Sequence, residues 1–313
     1  MNTLAIANNL GNLLHVMGDL DAVKSYYKEA HVGYVDLNGP AHAFVLSTLH
    51  NLGVVLSDMG DMEAARQMYE RALEGREAML GPLHEETLGT VNNLGNLLHA
   101  TGDIEGARAM LERAVAGYEV LFGPNGQKTL QAVTNLGNVY KSKCDVVKTR
   151  ALYERVLAGR EKLLGPDHES TLSAACSVGD ILIYAGDTDG AKELLERALH
   201  GFEKLLGANH VKTLHTLKTL ASLLDSVDDV EGARRMLEPA LDGFEKVGGC
   251  VFIGCGNYLA FGSKGYVCNV PCAFKFGAIN GGIILHSLRI YVCCAYVYAG
   301  VGAKPCLHTW CSI

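Results

Sequence analysis

The stretch Gly159-Arg160-Glu161-Lys162-Leu163-Leu164-Gly165-Pro166-Asp167-His168-Glu169 gathers an arginine, a lysine, three acids and a histidine around one Gly-Pro turn. Carboxylates beside an imidazole are the parts of a general acid–base pair or a metal site, and loops are where a rigid scaffold aims such groups. Recurrence decides between chemistry and architecture. The same phase returns at Leu80-Gly81-Pro82-Leu83-His84, at Phe122-Gly123-Pro124 and at Leu206-Gly207-Ala208-Asn209-His210, with Gly39-Pro40-Ala41-His42 upstream, in steps of 42 residues. One histidine per step stands about a helix pair from the next, too far to share a metal ion. His42, His84, His168 and His210 are therefore predicted to be linker residues. No Ser-His-Asp set, paired carboxylates or phosphate-binding loop is visible, so no catalytic residue, metal site or cofactor is expected, and the chain is not expected to be an enzyme.

A second register confirms the step. Gly11, Gly53, Gly95, Gly137 and Gly179 each follow Leu or Val, and Ala221 fills the sixth slot without insertion or deletion. The 313 residues are thus an array of units rather than two ordinary domains. Units are expected at about residues 3–44, 45–86, 87–128, 129–170, 171–212 and 213–246. All 34 acidic residues fall before residue 247, against 23 Lys and Arg, a net of −11 for the repeats, whereas the last 67 residues carry four basic groups and no acid. An acidic body without a basic, aromatic-laced stripe disfavours nucleic acid. Only Cys144 and Cys176 of ten cysteines lie in the repeats, which suits a reducing cytoplasm. Residues 1–17 are apolar but lack a basic start and match the first half of later repeats, so they are read as repeat rather than targeting signal.

Residues 87–128 show what one unit must do. Val91, Leu94 and Leu98 recur on one face of a helix, helix A, expected to run to about Ala100 with Thr87 as its N-cap. Gly102 suits a left-handed helix end and Asp103 the cap of helix B, as do Gly18-Asp19, Gly60-Asp61 and Gly186-Asp187. Helix B carries Ala107, Leu111, Ala114 and Val115 on its buried face, and basic residues four before Glu on the other, as in Arg66 and Glu70 or Arg108 and Glu112. Gly33, Gly75, Gly117, Gly159, Gly201 and Gly243 sit inside helix B, where each costs about 1 kcal/mol against Ala. Six such costs predict close backbone approach, expected between units. One helix pair cannot bury its own apolar face, so the pairs must stack.

The Leu-Gly of helix A, the Gly-Asp turn and the small-residue series of helix B resemble the tetratricopeptide repeat. The 42-residue period with Tyr153-Glu154-Arg155 leading to Gly165-Pro166, His168 and Thr171-Leu172 is similar to the kinesin light chain and nephrocystin type. The resemblance covers residues 1–246 and implies an all-α fold, a right-handed α-solenoid of six antiparallel helix pairs followed by a non-repeat tail. It implies a non-catalytic scaffold or adaptor in the cytoplasm that binds a protein or peptide partner. The sensor or regulatory arm of a larger NTPase or signalling protein is the alternative. No heptad region of the kind that joins a light chain to the kinesin heavy chain is present, nor a Walker A Gly-Lys-Ser/Thr loop, so neither heavy-chain attachment nor ATPase activity is expected.

In that fold helix A lines the inner groove, which makes its residues off the packing stripe the candidate ligand contacts. They are Asn8, Asn12 and His15 in the first unit, Asn92, Asn96 and His99 in the third, and Thr134, Asn138 and Lys141 in the fourth. The other units offer His50, Val54 and Ser57; Cys176, Asp180 and Ile183; and Lys218, Ser222 and Asp225. An asparagine amide donates and accepts at once, so a ladder of them can hold the backbone of an extended peptide with little regard to its side chains. The alternative is that Asn8, Asn9, Asn51, Asn92, Asn93 and Asn135 are consensus residues bonding neighbouring turns.

After Lys246 the period stops. Pro239 already interrupts the last helix B, where it is expected to kink or fray the unit. Residues 247–313 are rich in Gly and Cys, without helical period, and are expected to be poorly ordered. Their cysteine spacings fit no strong zinc pattern, and Arg289 and His286 break the apolar run 276–303, so membrane insertion is not expected. A non-homologous end from a misread gene boundary is the plainest reading of them.

Overall fold

The computed structural model describes residues 2–246 and, beyond them, four short strands. Residues 2–246 are helical throughout, with no strand among them, and alternate a shorter with a longer helix. The pairs are α1 (Asn2–Met17) and α2 (Leu20–Asn38), α3 (Ala43–Asp58) and α4 (Met62–Leu80), α5 (Glu85–Ala100) and α6 (Ile104–Phe122), α7 (Gln127–Ser142) and α8 (Val146–Leu164), α9 (Glu169–Ala185) and α10 (Thr188–Leu206), and α11 (Val211–Ser226) and α12 (Val230–Lys246). This is an α-solenoid of six antiparallel helix pairs. Two compact units divide the chain, residues 1–197 and 198–313.

Each helix starts and stops for a reason legible at its ends. Gly18, Gly60, Gly102 and Gly186 take φ between +77° and +86°, the left-handed turn that a Cβ resists. Asp19, Asp61 and Asp103 then accept the backbone N–H of Ala22, Ala64 and Gly106, capping α2, α4 and α6. In α3, α5, α9 and α11 helix A is capped by the linker histidine, whereas α7 has Gly126 there and no side-chain cap. Nδ1 of His42, His84, His168 and His210 accepts the N–H two residues on, at 3.1–3.3 Å. The expected cap Thr87 instead lies inside α5, fully buried, because the linker lets the helix begin three residues earlier. At the equivalent slot the Thr129 hydroxyl meets the carbonyls of Gly123 (2.8 Å) and Tyr118 (3.1 Å), whereas Thr87 Oγ1 has no hydrogen-bond partner among the described residues.

Helix A is buried on more than one stripe. In α5, Leu88 and Leu97 join the expected Val91, Leu94 and Leu98, since the helix is flanked by its own helix B, by that of the preceding repeat and by the neighbouring A helices α3 and α7. One core cluster runs from Leu56 of α3 through Leu111 and Val139 to Ala174 of α9. The helix B glycines do mark close approach, but within the pair rather than between units. A Cβ on Gly75 would overlap Leu46 of α3, one on Gly117 would overlap Leu88 of α5, and one on Gly159 would overlap Leu130 of α7. In residues 198–313, Leu214 and Leu217 of α11 pack with Ala240 and Phe244 of α12. Helix α12 runs unbroken through Pro239, contrary to the expected fraying. Beyond it β1 (Phe252–Cys255), β2 (Tyr258–Phe261), β3 (Phe276–Ile279) and β4 (Gly282–Leu285) pair antiparallel in the order β1-β2-β4-β3. The cysteine and apolar-run readings of the tail otherwise fall outside the described residues.

Candidate functional site

Within residues 1–197 the exposed face of the helix A series, α1, α3, α5, α7 and α9, is laced by polar ties between neighbours. His15 Nε2 meets Asp58 Oδ2 at 2.7 Å, and His99 Nε2 meets Ser142 Oγ at 2.9 Å. Asn135 Nδ2 donates to Asn92 Oδ1 at 3.0 Å, and Asn93 Nδ2 donates to His50 Nε2 at 3.3 Å. Each tie joins positions 43 apart, one residue more than the sequence period. Lys141 is ion-paired with Asp180 of α9. Burial draws the Lys141 ammonium down, but the hydrogen bond and charge of Asp180 outweigh it and hold the pKa above the ordinary lysine value.

Beneath this face lies a connected polar relay. His50 is pushed down to a pKa of about 4, by burial first and by the charge of Arg76 second. The neutral ring fits its partners: Nε2 accepts from Asn93, leaving Nδ1–H, 3.3 Å from Thr90 Oγ1, as the donor. Thr90 Oγ1 also accepts from Arg76 Nη1 at 2.7 Å and donates to the Glu86 carbonyl. Arg76 is 5% exposed, reaches the Glu86 carbonyl and Ser47 as well, and leaves its Nε without a partner. From Asn93 the relay runs through Asn92 to Asn135 and Gln131, so hydrogen bonds connect α3, α5 and α7.

The candidate contacts fall into three groups. Asn92, His99, Lys141 and His15 face the helix A surface and are each tied to the next repeat. Burial lowers the His99 pKa, which favours its neutral ring. Asn96 and Asn138 are exposed at equivalent positions of α5 and α7. Asn138 accepts from Tyr153 Oη at 2.6 Å through Oδ1, while Asn96 has no hydrogen bond to any described residue. The side chains of Asn8 and Asn12 lie outside the described set. Sequence reasoning passed over Tyr184, which is 70% exposed in the last turn of α9 and close enough to Lys141 to act on its charge. Its signal was a large aromatic in a slot that holds Asp58, Ala100 and Ser142 elsewhere. Such a face offers amides, hydroxyls, one ion pair and an aromatic ring. Among the described residues no group of three or more His, Cys, Asp or Glu is placed to hold a metal ion, and no helix is long and apolar enough to cross a membrane.

Paired helices of constant length, Gly-Asp turns and a lateral ladder of helix A contacts define a helical-hairpin repeat protein. Comparison gives the family. The tetratricopeptide repeat profile matches residues 2–78, 131–204 and 178–246, and a second profile of the same description matches 87–127. The chain belongs to the tetratricopeptide repeat family. Similar solved structures include the kinesin light chain-type, nearly identical TPR-like repeats of Podosopora anserina, with 23% identity, a TM-score of 0.58 and coverage of 64% of this chain and 96% of that one. BtubC (BKLC) of P. vanneervenii follows at 17% identity and TM-score 0.63, covering 84% and 99%. Pseudomonas aeruginosa PilF has 16% identity and TM-score 0.55, covering 79% and 92%. These likenesses concern the fold. No curated protein matches the chain in sequence. As a tetratricopeptide repeat protein the chain is a protein-interaction scaffold.

Proposed function

We propose that the chain is a non-catalytic, kinesin light chain-like adaptor of the cytoplasm that holds an extended peptide segment along its helix A face, centred on the third and fourth repeats. The carrying observation is the pair Asn96 and Asn138, exposed at the same register of neighbouring helices. An amide at each step matches the donor–acceptor alternation of an extended backbone. Around them Asn92, His99 and Lys141 are fixed by their ties, so the face presents its polar atoms already ordered and little entropy is lost on binding. Asn8, Asn12 and His15 extend the same face into the first repeat. The ligand is a protein segment; neither nucleic acid, membrane nor kinesin heavy chain enters this reading.

A peptide selected from a displayed library on the full chain provides the probe, and calorimetry the readout. Net hydrogen bonds contribute about 0.5–1.5 kcal/mol each, so Asn96→Ala with Asn138→Ala should weaken binding by roughly 1–3 kcal/mol, about 5- to 150-fold. Asn96→Ala alone is the cleaner arm, because Asn138 also serves Tyr153. Unchanged affinity in both variants, with helicity intact, would remove the peptide from this face.

A further inference from the structure

The linker edge of residues 1–197 carries an apolar row that the helix A face does not use. Leu37, Met79, Leu121 and Leu163 occupy one slot of the repeat at the end of helix B, and each is 41–60% exposed. Leu83 and Val120 stand between them, 52% and 71% exposed. Phe44, Phe122 and Leu164 complete the row, each 38–46% exposed. At about 80–100 Å² for a half-exposed large side chain, nine of them present on the order of 700–900 Å². A monomer's largest apolar patch is usually about 300–600 Å², whereas a stable interface takes about 800 Å² from each partner.

The row also has a centre. Its four linkers follow α2, α4, α6 and α8, and between the second and third opens a cavity of about 580 Å³, lined by Leu80, Pro82, Leu83, Leu121 and Phe122 among others. Glu85 and Lys128 form an ion pair between these two linkers, beside the cavity. We propose that a second copy of this chain covers the row, related by a two-fold axis through the cavity. That axis sets the second linker of one copy against the third of the other, and the first against the fourth. The knobs Leu83 and Val120 then enter the other copy's cavity, and Glu85 of each copy faces Lys128 of the other. A self-complementary patch of this kind closes as a dimer.

Sedimentation of the full chain from low to high micromolar concentration tests this. The expected result is a species of twice 33.5 kDa at the upper end. Leu83→Glu with Val120→Glu, both on exposed positions, should give a monomer of unchanged helicity. Glu85→Lys or Lys128→Glu alone should weaken the dimer at least tenfold by facing like charges, and the two together should restore it. The exchange keeps the test sharp should the glutamate variant unfold. A chain that stays monomeric leaves the row to some other occupant, such as an amphipathic helix of another protein, and overturns the proposal. Persistence of the dimer in the glutamate variant, or no recovery on charge exchange, overturns it equally.

Discussion

Acid should loosen the second and third repeats through His50. The folded ring titrates at about 4 against 6.5 for an unburied histidine. Between those values the unfolded chain binds a proton that the folded chain does not, so stability rises with pH there. It is full above about pH 6.5 and drains as pH falls towards 4. A depression from 6.5 to about 4 is worth on the order of 3 kcal/mol, of which about 2 kcal/mol is lost between pH 7 and pH 5. The structural reason is donor count. A protonated Nε2 would point a hydrogen at the Asn93 Nδ2 that now donates to it, and Asn93 cannot turn without dropping Asn92, whose amide it accepts. Arg76 adds a like charge and is itself paired with Glu86, while Tyr69 packs edge-on against the ring. Burial also lowers the pKa of His31 and His99, so wild-type acid sensitivity has several sources of the same sign. His50→Gln isolates one. Urea unfolding at pH 7 and pH 5 should show the variant losing about 2 kcal/mol less than the wild type on acidification, and the His50 ring should titrate near 4 by NMR. A ring that titrates near 6.5, or an equal loss in both proteins, would refute the argument.

Two further substitutions probe the backbone. Cys144 occupies a Gly-Asp turn slot with φ of +56°, where a side chain costs roughly 1–2 kcal/mol; glycine gives back up to about 1 kcal/mol through the unfolded chain, so Cys144→Gly should raise stability by about 0.5–1 kcal/mol in denaturant titrations, and a lowered midpoint would count against the strain. The same Gly→Ala change should have opposite signs at two helical sites: Gly89→Ala, whose Cβ meets only Tyr118 Oη at 3.7 Å, gains up to about 1 kcal/mol, whereas Gly117→Ala collides with Leu88 and loses about 1–3 kcal/mol. Equal effects at the two sites in thermal or urea melts would show that packing does not decide between them.

The fold was legible because a repeat states its rule several times. Gly18, Gly60 and Gly102 before Asp19, Asp61 and Asp103 specify the same left-handed turn and cap on each occasion, and the structure has all three. The start of helix A was misplaced because Thr is in general a good N-cap, whereas the cap used is His84, a residue whose Nδ1 serves only in one ring orientation. Partner identity was hidden for a related reason. Asn92 and Asn135 were both conspicuous, yet which atom bonds which depends on a one-residue stagger between stacked helices, and a 42-residue period cannot show an offset of 43. The helix B glycines announced close approach without naming the leucine that approaches.

Where the repeats depart from their own rule, the chemistry changes while the backbone does not. The slot after the helix B glycine holds Tyr34, Tyr118, Phe202 and Phe244, but Arg76 and Arg160 in the second and fourth repeats. An aromatic ring there fills the space between helices and needs at most one polar partner. A guanidinium in the same space must find several, and Arg76 recruits Ser47, Glu86 and Thr90, while Arg160 reaches the Ser170 carbonyl. The charge of Arg76 in turn helps keep His50 neutral, and a neutral His50 is what lets Asn93 donate to it and hold Asn92 towards Asn135. One residue in helix B thus helps order the amides that border Asn96 on the next helix A, α5. The polar face of helix A can vary in this way from a packing slot of helix B, because a side-chain relay runs from Arg76 through Thr90 and His50 to Asn93.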